Sequence, residues 1–324
     1  MTERALLVGD AGGTNVRFAL AQVSGGRVSL SDIWKRPGEK YPSFEAALDA
    51  YLTETGAAYT GASFGFAGVT GGPTVELLNR GWVVDLAAVT ERLNVERLTI
   101  VNDFIAMARS APELSGDQLK SIKANAADPE GSIAVGGPGT GFGVGILRKT
   151  GGGWVVVGGE GGHQAFTPET DIEWKLAEFL RKQLGYVSNE IVTAGMGFDE
   201  TRDALFEVMG LKPRPLSQAE IIEAAHAGDA MALELCRLRA RAVMTCMGNM
   251  ALVSNATGGV SIAGGVSQRL EPWLKERATL DRFYKRGVRT DLVKPIPISL
   301  IASEAAPLIG SAQLWCDEQA RGWL

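Results

Sequence analysis

The chain has 324 residues, of which 37 are acidic and 32 are basic, giving a formal net charge of −5. Because the two signs are interspersed, the sequence offers no basic stripe for nucleic acid and no polybasic patch for a membrane surface. The 41 glycines exceed the roughly 23 expected at ~7% usage and cluster beside apolar runs, so length and composition predict two domains and a small-molecule ligand.

The targeting signals and the cysteine pattern agree with a cytoplasmic protein. No charged leader followed by an apolar segment precedes the first predicted strand, and no run of ~20 apolar residues occurs. The cysteines Cys236, Cys246 and Cys316 and the histidines His163 and His226 are too widely spaced for a disulfide framework or a zinc site. We expect reduced thiols in apolar surroundings.

The first part of the chain predicts three strands followed by alternating helices and strands. Apolar and β-branched residues between glycine turns indicate the strands, and Ser43 is a plausible cap for the first helix. In chain order we predict strands 5–9, 15–22 and 27–34, helix 44–53, strand 62–67, a short strand at 75–78, helix 86–93, strand 97–101 and helix 104–109.

The order restarts after a polar, ambiguous stretch at 111–128, where we place the passage into a second domain. Thr170 is a candidate cap, and the long apolar run at 230–253 is interpreted as core or as a subunit contact. We predict strands 132–135, 141–147 and 154–158, helices 172–184, 218–225 and 230–253, strands 259–263 and 298–301, and a final helix 305–316.

A βββαβα order that occurs twice, with a nucleotide between the copies, is typical of the ribonuclease-H-like, actin-type architecture. We therefore predict duplicated α/β domains of this type with an inter-domain cleft. Residues 1–112 together with 304–324 would form the small domain, because a terminal helix of this kind often packs back on the first domain. Residues 113–303 would form the large one.

A strand, a glycine-rich turn and a second strand occur together twice, at 6–20 and 133–147. Such turns admit positive φ and let backbone N–H groups approach a phosphate chain. In the first copy, Asp10 precedes Gly12-Gly13-Thr14 and could hold hydrated Mg²⁺, or could merely accept turn N–H bonds. Neither glycine loop contains a lysine, and no P-loop or dinucleotide motif is present. Charge neutralisation would then fall on Mg²⁺ and backbone dipoles.

Asn102-Asp103 follows an apolar strand and opens a helix, the position where open α/β sheets present chemistry. Asp103 has two compatible interpretations, as a helix N-cap and as a general base for a substrate hydroxyl. We expect the helix dipole to keep Asp103 ionised at neutral pH.

Three further segments carry polar or glycine-rich signals. Glu160 and His163 lie three residues apart among glycines, an arrangement suited to binding a sugar diol. Glu190 by itself would be interpreted as a solvated loop charge. Gly264-Gly265 ends a strand and would offer a flat backbone surface to an adenine.

These segments, in this order, resemble the bacterial glucokinase family, the hexokinase-like group without the zinc-binding cysteine cluster of the ROK kinases. The resemblance covers essentially the whole chain. It is carried by GDAGGTNVRFAL, VNDF, GPGTGFG, GEGGHQAF, VSNE and IAGGV.

The resemblance implies ATP-dependent phosphorylation of the glucose 6-hydroxyl with Mg²⁺, in a homodimer. Asp103 matches the catalytic base, and Asp10 would bind the metal through water. Asn102, Asp103, Glu160, His163 and Glu190 match sugar-binding positions, and Asn79 is a further candidate for sugar contact. The matching nucleotide positions are Gly9, Asp10, Ala11, Gly12, Gly13, Thr14, Gly137, Gly139, Thr140, Gly141, Gly264 and Gly265.

Two alternatives stay open from the sequence. The hydroxyl-binding residues do not identify the epimer, so the substrate could be fructose, mannose or an N-acetylated amino sugar. A non-enzymatic nucleotide switch or sugar sensor is the alternative from another functional class.

Overall fold

The computed structural model describes residues 5–68, 70–77, 80–151 and 153–322, so Asn79 lies outside the described residues. The strands are β1 (Ala5–Ala11), β2 (Asn15–Ser24), β3 (Arg27–Pro37), β4 (Gly61–Phe66), β5 (Thr74–Leu77), β6 (Trp82–Asp85), β7 (Leu98–Asn102), β8 (Leu119–Lys123), β9 (Ile133–Pro138), β10 (Phe142–Thr150), β11 (Gly153–Gly159), β12 (Gly259–Ile262) and β13 (Ile298–Ile301).

The helices begin at sequence signals in several cases. Ser43 caps the first helix, and Thr170 forms a capping box with Glu173, as expected from their positions. The helices are α1 (Phe44–Thr55), α2 (Leu86–Leu93), α3 (Asp103–Ser110), α4 (Asp171–Leu184), α5 (Asn189–Thr193), α6 (Phe198–Val208), α7 (Gln218–His226), α8 (Ala230–Ser254), α9 (Gly265–Arg269), α10 (Glu271–Leu274), α11 (Arg277–Tyr284), α12 (Thr290–Val293) and α13 (Ala306–Arg321).

The chain forms two compact units. The first contains the residues up to Gln118, the segment Leu147–Val157 and the residues from Ser303 onward, and the second contains Leu119–Ile146 and Gly158–Ala302. The domain boundaries inferred from the sequence, 112/113 and 303/304, stay a prediction.

The first unit is built on a five-stranded sheet in the order β3-β2-β1-β4-β7. Strand β1 pairs antiparallel with β2 and parallel with β4, and β4 pairs parallel with β7. One face packs an aromatic cluster that includes Phe18, Phe44, Phe64 and Tyr51. Gly9 belongs to this packing, because a Cβ there would lie 2.8 Å from the ring of Phe64.

Helix α13 covers the other face of this sheet. Leu308 and Trp315 pack against Leu6 and Val8 of β1, so β1 is covered on both faces and reads as a continuous apolar run. The carboxyl-terminal helix therefore belongs to the first unit although its sequence follows the second.

The second unit repeats the topology. A six-stranded sheet has the order β11-β10-β9-β12-β13-β8, with β12 parallel to both β9 and β13. The end of β10 and most of β11 belong to the segment Leu147–Val157 of the first unit, and the other strands belong to the second unit. The first five strands correspond one by one to β3-β2-β1-β4-β7, and β8 is added as an antiparallel edge. The predicted duplicated α/β, ribonuclease-H-like architecture is confirmed.

Helix α8 is the central helix of the second unit. Met244 and Met247 are fully buried within it, so the apolar run lies in the core. No helix in the described residues is long and apolar enough to cross a membrane.

Several short elements were not predicted from the sequence. Strand β8 lies in the stretch that we left ambiguous, and α5, α6 and α9 to α12 lie between the predicted elements. Most of these helices are shorter than the two to three turns that give a clear helical periodicity in the sequence, so tertiary packing decides their conformation.

Candidate active site

The first glycine turn joins β1 to β2 and is fixed by hydrogen bonds of its backbone N–H and carbonyl groups. Gly12 N–H donates to the Asn15 carbonyl, and Gly38 N–H donates to the Thr14 carbonyl, both at 3.1 Å. Arg80 Nε donates to the Gly12 carbonyl at 2.9 Å. The turn is therefore held by residues distant in sequence as well as by its own backbone.

The donors of this turn are available to a ligand. Gly13 and Thr14 are exposed, and in the described part of the chain their N–H groups have no backbone partner. Neither Gly12 nor Gly13 has a left-handed φ, so the expectation of positive φ is wrong for this turn. Gly12 provides space instead, since the nearest atom to a Cβ there would be 4.0 Å away. Free donors beside open space suit a phosphate group.

Asp10 lies at the end of β1 and is only 4% exposed. Its Oδ2 accepts a hydrogen bond from Arg17 Nη1 at 2.6 Å, across the β1–β2 ladder. Burial raises the pKa of Asp10, and the charge and hydrogen bond of Arg17 act in the opposite direction. The carboxylate is thus held by a guanidinium, whereas a turn acceptor would bond backbone N–H groups.

The surroundings of Asp10 fit a magnesium ion held mainly by other ligands. Oδ2 is engaged by Arg17, which leaves Oδ1 for a hydrated cation. Among the described residues there is no group of three or more Asp, Glu, His or Cys side chains that could hold a metal ion. One carboxylate combined with water and phosphate oxygens is the usual Mg²⁺ environment in kinases.

Asn102, not Asp103, is the N-cap of helix α3. Asn102 Oδ1 accepts from Phe104 N–H at 2.9 Å and Ile105 N–H at 3.3 Å, while its Nδ2 donates to the Gly68 carbonyl at 3.3 Å. The N-cap interpretation of Asp103 is therefore wrong, because the preceding amide takes that position. Asp103 is the first helical residue, and its Oδ1 accepts from Phe104 N–H at 2.8 Å.

Asp103 has a strongly perturbed acidity. Burial, followed by the negative charge of Asp10, raises the pKa of Asp103 to about 7, although the Phe104 N–H opposes the shift. The expectation that the helix dipole keeps Asp103 fully ionised at neutral pH is contradicted, because burial and a second acid outweigh the dipole. A carboxyl group with a pKa near the operating pH is suited to general-base catalysis.

Glu190 is a buried residue, which corrects its interpretation as a solvated loop charge. It lies in the first turn of α5 and is 8% exposed. Its Oε2 accepts from Phe142 N–H at 2.6 Å, and a Cβ at Gly141 would lie 2.8 Å from the same oxygen. Its position thus depends on the second glycine turn, 48 residues earlier.

His163 lies between the two glutamates of the second unit. Its Nε2 is 3.5 Å from Glu190 Oε1 and 3.9 Å from Glu160 Oε2. The Glu160 side chain is 88% exposed and that of His163 is 56% exposed, so both are accessible to a ligand. Two acids around one imidazole provide acceptors and a donor for sugar hydroxyls.

The second glycine turn is fixed by the segment that follows α5. Gly195 N–H donates to the Gly139 carbonyl at 2.9 Å, and Met196 N–H donates to the Thr140 carbonyl at 3.0 Å. The second glycine turn, between β9 and β10, therefore contacts α5 twice. It touches Glu190 within the helix and the residues Gly195 and Met196 that follow it.

Gly137 and Gly264 let two strand ends approach closely. Gly137 has φ 154° and Gly264 has φ 92°. A Cβ would lie 2.1 Å from the Ala263 carbonyl oxygen at the first position and 2.2 Å from the Pro138 carbonyl oxygen at the second. No side chain larger than hydrogen fits either position, so the turn after β9 and the turn after β12 are adjacent.

The structure groups the candidate residues within each unit. In the first unit, Asp10 is near enough to Asp103 to raise its pKa. In the second unit, His163 and Glu190 lie together. Arg80 was not found by sequence reasoning. It is 68 positions from the turn it contacts, so no local signal indicates it.

A glucokinase family model matches residues 7–318. The chain belongs to the glucokinase family. The glucokinase of Chromobacterium violaceum is 33% identical over 316 residues, which cover 97% of this chain and 90% of that protein. The crystal structure of a glucokinase from an Antarctic psychrotroph has a TM-score of 0.87 at 32% identity, covering 96% of this chain and 98% of that chain.

Membership in the glucokinase family makes this protein an ATP-dependent kinase that phosphorylates glucose. A ROK-family glucokinase from Streptomyces griseus, crystallised with glucose and AMPPNP, has a TM-score of 0.59 at 18% identity, covering 96% of this chain and 98% of that chain. At that identity the likeness concerns the fold.

Proposed function

We propose that this glucokinase-family protein transfers the γ-phosphoryl group of ATP to the 6-hydroxyl of glucose with Asp103 as general base. The observation that carries the proposal is the state of Asp103. Its carboxyl group is half-buried at the start of α3, has a pKa of about 7, and keeps Oδ2 free of the helix N–H bond made by Oδ1.

The reaction follows from this arrangement. The sugar 6-hydroxyl donates to the Asp103 carboxylate, which takes the proton as the oxygen–phosphorus bond forms and the bond to ADP breaks. Because the transition state of phosphoryl transfer is loose, orientation contributes more than basicity. The N–H groups of Gly13 and Thr14 would bind the terminal phosphate. Mg²⁺ near Asp10 would supply charge neutralisation at the phosphates.

Sugar selection is assigned to Asn102 and Asp103 in the first unit and to Glu160, His163 and Glu190 in the second. Glu190 is fixed by the Phe142 N–H, so its Oε1 can accept from a sugar hydroxyl without a large entropic cost. The second glycine turn would bind the remaining phosphates, and Gly264-Gly265 would lie beside the adenosine.

The activity should rise with pH around the pKa of Asp103. That pKa is raised to about 7, so below pH 7 the base is protonated and kcat/KM should fall about tenfold per pH unit. Initial rates at saturating Mg-ATP between pH 5.5 and 9 would measure this limb. A profile that stays flat down to pH 5.5 would contradict the assignment.

Glu190→Gln tests the sugar site without disturbing the glycine turn. The amide oxygen can still accept from Phe142 N–H, whereas the charge offered to the sugar is lost. We expect KM for glucose to rise about 10- to 100-fold, with KM for ATP nearly unchanged. Glu200→Gln, an exposed acid of the same unit, is the matched control. Equal loss of affinity for both substrates would argue against direct sugar contact.

Substrate breadth decides between glucose and other hexoses. Comparing kcat/KM for glucose, mannose, fructose and N-acetylglucosamine, with ATP hydrolysis in the absence of sugar as baseline, tests the assignment. We expect glucose to be preferred and sugar-free hydrolysis to be slow. Higher kcat/KM for another hexose would reassign the physiological substrate.

Location and assembly complete the proposal. The cytoplasm supplies ATP and receives imported sugars, so we place the enzyme there. We also propose a homodimer, on the basis of the family resemblance alone. Light scattering of the purified protein measures its mass directly, and a value of one chain, 34.3 kDa, would refute the dimer.

A further inference from the structure

Arg80 follows strand β5 and lies behind the first glycine turn. Its Nε donates to the Gly12 carbonyl at 2.9 Å, and its guanidinium lies 4.9 Å from the ring centroid of Trp82. The group occupies the space above Gly38, where a Cβ would lie within 0.9 Å of Nη1. Gly38 also binds the Thr14 carbonyl. Two residues from distant parts of the chain thus hold the turn together.

The Arg80 charge has no carboxylate partner. Both Nη1 and Nη2 are buried without a hydrogen-bond partner, and no Asp or Glu of the described residues lies within ion-pair distance of Arg80. Glu39 exerts only a longer-range attraction, and burial lowers the pKa of Arg80. Arg80 as a whole is only partly buried, but polar atoms buried without partners carry a desolvation cost, so its two Nη atoms call for a compensating anion or a functional reason.

Arg17 provides the contrast within the same unit. Arg17 lies on β2, and its Nη1 is paired with Asp10 Oδ2 at 2.6 Å, so its charge is neutralised locally. Neither glycine turn contains a lysine. Arg80 is therefore a cation bonded to the first turn whose charge no carboxylate of the described residues balances.

We propose that Arg80 is a positioning residue for the terminal phosphate of ATP. It binds the Gly12 carbonyl behind the turn, which leaves the Gly13 and Thr14 N–H groups for the phosphate. It also places an unbalanced positive charge there, which the phosphate compensates. This inference rests on the proposed function, because it assigns the terminal phosphate to the first turn.

Arg80→Met and Arg80→Lys separate the charge from the packing. Met keeps the apolar stem and removes charge and donors, whereas Lys keeps the charge and loses the planar fork. Arg92→Met is the matched control, since Arg92 forms an exposed ion pair with Asp49 on the same unit. The readouts are kcat, KM for both substrates, calorimetric binding of AMPPNP and ADP, and thermal unfolding of the ligand-free protein.

For Arg80→Met we expect kcat/KM for ATP to fall about 10- to 100-fold, with KM for glucose changed less than about twofold. AMPPNP should lose more affinity than ADP, because only AMPPNP carries the third phosphate. The ligand-free variant should unfold within about 3 °C of wild type, since losing one turn contact is offset by removing two buried donor atoms that have no partner. Arg80→Lys should recover part of the loss.

Two results would overturn the inference. One is equal loss of affinity for AMPPNP and ADP. The other is unchanged kcat/KM for ATP with a ligand-free protein that unfolds many degrees lower, which indicates a purely structural residue. If wild type forms no glucose 6-phosphate, the proposed function fails instead, and the AMPPNP and ADP titrations still decide the role of Arg80.

Discussion

Asp103→Asn is expected to reduce kcat about 10²- to 10⁴-fold while glucose still binds. Asparagine has nearly the same shape, and its Oδ1 can keep the hydrogen bond from Phe104 N–H. The amide cannot take the proton of the 6-hydroxyl, so the loss should fall on kcat and not on the calorimetric affinity for glucose. Turnover near the wild-type value would remove Asp103 from the role of base.

The same substitution should stabilise the protein, and the effect should depend on pH. The pKa of Asp103 in the folded state, about 7, lies above its unfolded value of 3.8. Relative to the ionised form, protonated Asp103 therefore stabilises the folded state. This contribution to the free energy of unfolding is fully present below pH 3.8 and is lost as pH rises through 7. The uncharged asparagine avoids that loss, which amounts to at most about 4 kcal/mol for a shift of about three units.

Thermal unfolding at pH 5 and pH 8 measures this difference. We expect Asp103→Asn to unfold several degrees above wild type at pH 8, with a smaller advantage at pH 5. Asp117→Asn, an exposed acid of the same unit, controls for the change in net charge. A variant that is less stable than wild type at pH 8 would contradict the raised pKa.

Glu173→Ala should produce the largest loss of stability. The Glu173 side chain is fully buried and accepts from Arg241 Nε at 2.6 Å and from Arg282 Nη1 at 2.8 Å. It also accepts from the Glu169 and Thr170 N–H groups at the start of α4. Removing it leaves two buried guanidinium groups incompletely paired, at a cost of about 3–5 kcal/mol.

Denaturant unfolding measures the Glu173 effect, and helix α4 offers its own control. Glu178 lies on the same helix, is exposed and forms a surface ion pair with Lys182, so Glu178→Ala should leave the unfolding midpoint unchanged. Equal effects of the two substitutions would show that the buried network contributes no more than a surface pair.

The Glu173 network should also weaken at acidic pH. Burial opposes ionisation of Glu173, but the Glu169 N–H and the two arginines outweigh it and hold its pKa below 4.5. The stabilisation is therefore present above pH 4.5 and is lost as pH falls through the lower, folded-state pKa. The stability difference between wild type and Glu173→Gln should shrink over that range.

The sequence predicted the elements whose signals are local. Ser43 and Thr170 cap α1 and α4 as expected, because capping depends on residues within one turn. The repeated strand order could be inferred from two similar runs of apolar segments and glycine turns. Strand β8 could not, since its Leu-Lys-Ser-Ile-Lys sequence is short and acquires its conformation by pairing with β13.

The site features that escaped prediction depend on contacts between distant residues. Both Asn102 and Asp103 are good N-cap residues, and only the backbone geometry shows which one caps α3. Glu190 is held by the Phe142 N–H, and Arg80 reaches Gly12 from another hairpin. The raised pKa of Asp103 arises from burial and from Asp10, 93 positions away, neither of which a local pattern reveals.

The formation of glucose 6-phosphate tests the account most directly. The purified protein would be incubated with glucose, ATP and Mg²⁺, and the products identified and counted by ³¹P nuclear magnetic resonance. We predict one glucose 6-phosphate for each ADP, with no product when glucose or Mg²⁺ is omitted. Consumption of ATP without glucose 6-phosphate, phosphorylation at another hydroxyl, or no reaction would contradict it.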